Sequence, residues 1–183
     1  PSSNLVNEYE AGDKRKATSI LISGADDGYG RTVPSTLVQP YWNRKIYPEP
    51  TMQASTGNRQ NKWLNHSLIR YDDVILMAAE AANEIGGATN NTNATNWVNM
   101  IRTRAGLGSI AYASQLQMRN AIKKERRFEF ALEGERFYDL VRWGDAATVL
   151  ATLGYDSPCE RYLPLPQSAI DFAGGVLVQN PCY

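Results

Sequence analysis

The strongest constraint on this chain's fold is the stretch KERRFEFALEGERFYDLVRWG, Lys124 to Gly144, which interleaves charge with aromatic bulk. Its ionisable residues include Glu125, Arg126, Arg127, Glu129, Glu133, Glu135, Arg136, Asp139 and Arg142, set among Phe128, Phe130, Phe137, Tyr138 and Trp143. A surface helix keeps its apolar residues to one stripe. Here the aromatics point in several directions at helical spacing, so the segment reads as a helix covered on most sides. Glu129 and Glu133 are four residues apart, a like-charge pair that is unfavourable on an isolated helix. Arg126 and Arg136 are placed to neutralise them, and arginine's planar fork suits bidentate pairing with carboxylates. The expectation is a buried ion-pair network of Glu125, Arg126, Glu129, Glu133, Arg136, Asp139 and Arg142 that sets packing register. A solvated charged face is the alternative.

Other helices surround this one. In RYDDVILMAAEAANEI, Arg70 to Ile85, the residues Tyr71, Ile75, Ala78 and Ala82 fall on one helical stripe, and the alanines permit close approach by a neighbour. Gly86-Gly87 ends the helix, and the Asn/Thr-rich segment through Thr95 reads as a turn. A second helix over about Asn96 to Ala105 would bury Trp97 and Ile101 and stop at Gly106. The pair spans about 35 residues, close to the tetratricopeptide unit of roughly 34. One such unit cannot bury its apolar face alone, and no second copy at that period is visible. A third helix begins near Ser114, which has capping-box spacing to Gln117, and runs through Met118, Ile122, Phe128 and Leu132 to Gly134. The pattern resumes with Phe137, Leu140 and Val141, and a short helix follows over Asp145 to Leu150. The prolines in Tyr162-Leu163-Pro164-Leu165-Pro166 forbid helix there, and Val176 to Tyr183 reads as an extended tail over the core.

Residues 1 to about 66 differ in kind. Gly24, Gly28, Gly30, Pro34, Pro40, Pro48, Pro50 and Gly57 interrupt any long helix. Aromatics are interleaved, and a loop region of this length inside a compact domain is usually functional. Three segments follow: a loop-rich part over 1–68, a helical core over 69–153, and an extended part over 154–183 packed on that core.

Composition narrows the function. The chain has 183 residues, with 19 Lys+Arg balanced by 19 Asp+Glu. Nucleic-acid binders draw affinity from a basic excess, which this chain lacks. No apolar run reaches the roughly 18 residues needed to cross a bilayer as a helix. The opening Pro1-Ser2-Ser3-Asn4 does not read as a signal peptide, so any targeting segment would lie elsewhere. Cys159 and Cys182 are a poor zinc site by themselves; they either pair as a disulfide or stay as two thiols. His66 is the sole histidine, and no Gly-x-Ser-x-Gly elbow accompanies it. Glu125 and Glu129 have a spacing compatible with a glycosidase pair, but their arginine-rich setting would spoil a general acid. Gly24-Ala25-Asp26-Asp27-Gly28 lacks the alternating acids of a calcium loop and reads as a turn. The residues thus point to no catalytic group, no metal and no cofactor.

ERRFEFALEGERFYDLVRWG resembles the most recognisable segment of the SusD/RagB family. Three further pieces agree in order. IRYDDVILMAAEAANE (Ile69 to Glu84) is similar to the helix that begins the family's C-terminal repeat-like pair, and WVNMIRTRAGL (Trp97 to Leu107) to the helix that ends in Arg-x-Arg-Ala-Gly. YLPLPQSAI with QNPCY, at Tyr162 to Ile170 and Gln179 to Tyr183, resembles the family's proline-rich close. Upstream, GDKRK at Gly12 to Lys16 resembles an Asp-Pro-Arg step in which Lys14 replaces the proline, and YWNRKIYPE resembles a short aromatic-lysine segment.

The resemblance implies a mainly α fold, a tetratricopeptide-like α-α superhelical scaffold with long irregular loops, of which this would be the C-terminal portion. It implies no enzyme. It implies a protein on the extracellular face of the outer membrane of Bacteroidetes-type bacteria, lipid-anchored through an N-terminal segment absent from this chain. There such proteins form a lid on a SusC-like TonB-dependent transporter and deliver oligosaccharide, or peptide in the RagB branch; a non-binding structural lid is a further alternative. The missing N-terminal half of the same protein is an implied partner; nucleic acid is not. Sugar recognition places aromatic faces on ring C–H surfaces and polar groups on hydroxyls. The loop region offers both, and the candidate ligand residues are Tyr29, Trp42, Asn58, Arg59 and Trp63.

Overall fold

The computed structural model describes residues 1–36, 38–51, 65, 67–156 and 159–183. Two compact units divide between Glu133 and Gly134. The first contains helices α1 (Ser3–Glu8) and α2 (Lys14–Ser19), strands β1 (Ile20–Ile22) and β2 (Tyr41–Asn43), and helices α3 (Tyr71–Ile85), α4 (Ala88–Arg104) and α5 (Gln115–Glu129). The second contains α6 (Arg136–Trp143), α7 (Ala146–Val149), two 3-10 turns and α8 (Gln167–Phe172). The fold is mainly helical, and the loop-rich first third carries two short helices and a strand pair that the glycine and proline density had concealed.

Helices α3 and α4 pack on each other and both pack on α5. Their shared core is Ile75, Leu76, Ala79, Ala82, Ala94, Val98, Ile101, Met118, Ile122 and Phe130. The buried stripe of α3 is therefore Ile75, Leu76, Ala79, Ala82 and Asn83. It is rotated from the expected one: Tyr71 is 74% exposed and Ala78 only half-buried. Helix α4 begins eight residues before the expected Asn96. In its Asn/Thr-rich first turns the polar side chains are satisfied within the helix by bonding back to carbonyls four residues earlier, Asn90 to Gly86, Thr92 to Ala88 and Thr95 to Asn91. Burial of Ala94 and Val98 against α3 supplies the apolar contact. Ser114 caps α5 by accepting from the Gln117 N–H, 3.2 Å.

The Lys124–Trp143 stretch is not one helix. Helix α5 ends at Glu129 and α6 starts at Arg136. Other elements capture the carbonyls at this break: Lys45 Nζ and Arg70 Nη2 both donate to the Glu129 carbonyl, and Asn43 Nδ2 donates to that of Leu132. Leu132 adopts φ 68°, which turns the chain before Gly134. Phe128, by contrast, joins a second cluster with Val6, Tyr9 and Ile20, stacked on Tyr9 at 4.6 Å between centroids.

The buried carboxylates of α5 draw their arginines from distant sequence rather than from their own helix. Arg15 donates to both oxygens of Asp13 and to Glu125 Oε2 at 2.8 Å. Arg102 meets Glu125 Oε1 at 2.6 Å and also grips Glu10 and the Gly108 carbonyl. Arg104 reaches Glu129 at 2.6 Å. Arg70 spans Glu129, Glu133 and Asp72, and Lys45 closes on Glu133 at 2.5 Å. Burial opposes charge on Glu129, yet Arg104 and Arg70 hold its pKa below the ordinary value. Glu10, bonded by Arg102 and Lys124, is lowered to about 2. Arg126 pairs with Asp73 at 2.6 Å and lies 4.9 Å from the Phe130 centroid, where Arg70 also lies at 5.0 Å. Asp13 caps α2 through the Arg15 N–H. Lys14 donates its N–H to the Ala105 carbonyl at 2.9 Å, a bond that a proline at this position would lack.

In the second unit Asp139 is buried and pairs with Arg142 at 2.9 Å, Arg142 stacks on Trp143, and Arg136 opens α6. Cys159 and Cys182 form a disulfide. The Gln179 side-chain amide accepts from the Leu165 N–H and donates to its carbonyl. Asn180 bonds the Leu163 carbonyl, and the Tyr183 hydroxyl that of Tyr162. The last residues are thus fastened to the proline-rich segment of their own unit, and the helix α8 follows directly after Pro166.

Candidate ligand-binding cleft

β1 and β2 pair antiparallel in the register Ile20↔Asn43, Leu21↔Trp42 and Ile22↔Tyr41. Side chains on a strand alternate between faces, so Leu21 and Trp42 share a face while Ile20 turns into the core. Trp42 borders a cleft of about 570 Å³ with Leu21, Val33, Pro34 and Ile46 as apolar wall and Asp27, Arg31, Asn43 and Tyr47 as polar edge. The volume lies in the range of small-ligand pockets. Trp42 is 36% exposed, and its Nε1–H donates to Ser23 Oγ and the Gln39 carbonyl, which restrains the ring plane.

Asp27 organises the loop that forms the polar edge. It accepts from the backbone N–H groups of Tyr29 and Arg31, from Arg31 Nε and from the Tyr47 hydroxyl. Burial works against its charge, but these four donors outweigh it and lower the carboxyl to about 2. Arg31 Nη2 in turn donates to the Tyr47 hydroxyl at 2.7 Å. The turn needs Gly28: its φ is 82°, and a Cβ there would come within 2.1 Å of the Arg44 guanidinium. The acids of Gly24 to Gly28 thus serve a turn, and among the described residues no group of three His, Cys, Asp or Glu stands close enough to hold a metal ion.

Of the five sequence-derived ligand residues, Trp42 lines the cleft. Tyr29 is 46% exposed and does not line it, but its ring lies 6.3 Å from that of Tyr47, which does. Asn58, Arg59 and Trp63 lie outside the described residues. Asp27, Arg31 and Tyr47 also line the cleft; the one sequence signal for them is the tandem Asp26-Asp27 before Gly28, which by itself reads as a turn. A second, polar cleft of about 380 Å³ is lined by Arg15, Lys45, Arg70, Arg104, Glu129 and Glu133 among others, the ion-pair residues described above.

A sequence model of the SusD family, of the SusD/RagB group, matches residues 2–156. The chain belongs to the SusD family. It is 30% identical over 205 residues to SusD-like protein P2 of Formosa agariphila, covering all of this chain and 40% of that protein. SusD-like protein P25 of the same organism is 30% identical over 158 residues, covering 84% of this chain and 27% of the relative. A laminarin-binding SusD-like protein superimposes with TM-score 0.73 and 32% identity over 100% of this chain and 38% of its own. Surface glycan-binding protein A from Bacteroides thetaiotaomicron gives TM-score 0.75 and 27% identity over 98% of this chain and 40% of its own. The chain therefore spans about two fifths or less of the length of these SusD relatives.

Proposed function

We propose that this SusD-family chain is part of a cell-surface glycan-binding protein of the outer membrane. In this reading it captures an oligosaccharide and passes it to a SusC-like TonB-dependent transporter, without catalysing any reaction. The observation that carries the reading is the likeness, along the whole chain, to a SusD-like protein that binds laminarin. The Trp42 cleft supports it chemically. An indole held by two hydrogen bonds offers a flat apolar face for sugar C–H groups, and the exposed Arg31 guanidinium offers donors for hydroxyls while the buried Asp27 holds it and Tyr47 in place. Tyr29 extends the aromatic surface beside it.

Glycan-array binding by the full-length protein, followed by titration calorimetry on the positive class, tests the reading. The expected result is saturable binding of one class of oligosaccharide, with a dissociation constant of roughly micromolar to millimolar, and no hydrolysis. Binding to peptides with no glycan signal would transfer the protein to the peptide-importing branch.

A further inference from the structure

The two clefts of the first unit meet at one residue. Ile46 lines both, and the short segment around it contributes to each: Asn43 and Tyr47 to the Trp42 cleft, Lys45 to the polar one. That segment is held in place, because Asn43 donates to the Leu132 carbonyl and Lys45 to the Glu129 carbonyl. A ligand lying on Trp42 and long enough to pass Ile46 therefore runs into the polar cleft. At about 380 Å³ this cleft has room for a further small-ligand unit.

Its walls suit a neutral occupant that carries hydroxyls. Each cation lining it is already matched: Arg15 by Asp13 and Glu125, Lys45 by Glu133, Arg70 by Asp72 and Glu133, Arg104 by Glu129. A charged ligand would have to compete with these pairs, whereas hydroxyls can bond to them without breaking them. Two groups stand ready. The Arg104 side chain is 54% exposed, and among the described residues it meets carboxylates through Nη2 alone, so the rest of its guanidinium can donate. The buried Glu129 Oε2 accepts no hydrogen bond among the described residues, and the Arg15 Nη1 paired with it stands 3.6 Å away. A buried carboxylate oxygen without a donor is costly, and a hydroxyl supplies one directly or through a water. Ile46 and Leu132 add apolar surface for ring C–H groups.

We infer that the two clefts are adjoining subsites of one glycan site. One sugar residue lies on Trp42, and a neighbouring residue of the same uncharged chain occupies the polar cleft, bonded by Arg104. This rests on the glycan-binding reading above and adds to it the length and the charge of the ligand.

Titration of the full-length protein with laminarin fragments of increasing length, from disaccharide to hexasaccharide, tests this. Wild-type affinity should rise roughly tenfold once a fragment can pass Ile46, the worth of a hydrogen bond to a charged group. Arg104→Gln should remove that rise, so that long and short fragments bind alike, whereas Trp42→Ala should weaken binding at every length. In Arg104→Gln, Glu129 keeps Arg70 as a partner. Should that variant fail to fold, Thr18→Phe narrows the same cleft from an exposed position outside the ion pairs and should remove the same rise. A rise retained in the folded variant, or a flat length profile in the wild type, would overturn the inference while glycan binding stands. Tighter binding of a sulfated fragment than of the neutral one of equal length would overturn it too, by showing that the site selects charge. No binding at any length would remove the glycan reading itself, and the inference with it.

Discussion

Glu125 and Trp42 belong to the same compact unit, yet they are held in opposite ways. Glu125 is 1% exposed and bridges Arg15 and Arg102, residues 110 and 23 positions away in sequence. Trp42 sits on a three-residue strand, 36% exposed, and is held by neutral hydrogen bonds from its Nε1–H to Ser23 and Gln39, 19 and 3 positions away. The first arrangement is closed, with charges satisfied by charges from α2 and α4, and has little left to offer a ligand. The second leaves a ring face and the exposed Arg31 side chain open to solvent. The residues that close the ion-pair network around Glu125 and those proposed to touch a ligand are therefore different sets. Substitution should separate them.

The largest effect expected is in the closed region. Glu125→Ala leaves the Arg15 and Arg102 guanidiniums facing each other without their shared carboxylate. Removing one partner of a buried pair costs roughly 3–5 kcal/mol, read as a lower urea midpoint for the full-length protein. Glycan affinity of the fraction that remains folded should not change. A fully retained midpoint would mean that the network contributes nothing to stability. Next in size is the disulfide. Cys159→Ser with Cys182→Ser opens a loop of sequence separation 23. The chain-entropy relation puts its worth at about 3 kcal/mol. The loss should show as faster hydrogen exchange in the second unit, with the α3–α5 core of the first left as protected as before.

How far the sequence announced these regions follows from the range of the forces involved. Helices α3 and α5 were legible because apolar periodicity and the Ser114 cap act within a few residues. A break is legible at Gly134, but its onset at Glu129 is not, because the groups that take up the freed carbonyls, Lys45, Arg70 and Asn43, come from far along the chain. The same distance hid the partners of Glu129 and Glu133: local spacing suggested Arg126 and Arg136, whereas the carboxylates meet Arg70, Arg104 and Lys45. The first turns of helix α4 are not legible because Asn and Thr usually signal turns, and nothing local shows that their side chains will bond back along the helix. In the cleft, Trp42 was legible as an aromatic in a loop-rich setting. Asp27, Arg31 and Tyr47 were not, since a turn acid and a hub acid look alike until the fold brings Tyr47 across.

A smaller effect would sharpen the comparison through pH. Glu10 titrates at about 2 in the folded protein against an ordinary 4.5, because Arg102 and Lys124 donate to it. A depressed folded pKa means the contribution is fully present above about 4.5 and is lost as pH falls through the folded value. The stability difference between wild type and Glu10→Gln should therefore be constant from neutral pH down to about 5 and shrink steadily toward pH 2. A difference independent of pH over that window would show that Glu10 is not held by its partners.

The most direct test is titration calorimetry of the full-length protein and its Trp42→Ala variant with the same oligosaccharide, beginning with laminarin fragments. The expected result is saturable binding by the wild type and roughly tenfold weaker binding by the variant, a loss of about 1–2 kcal/mol, with the thermal midpoint within a few degrees of the parent. Equal affinity in the two proteins would take the ligand out of the Trp42 cleft. No saturable heat with any glycan would contradict the glycan-binding reading itself.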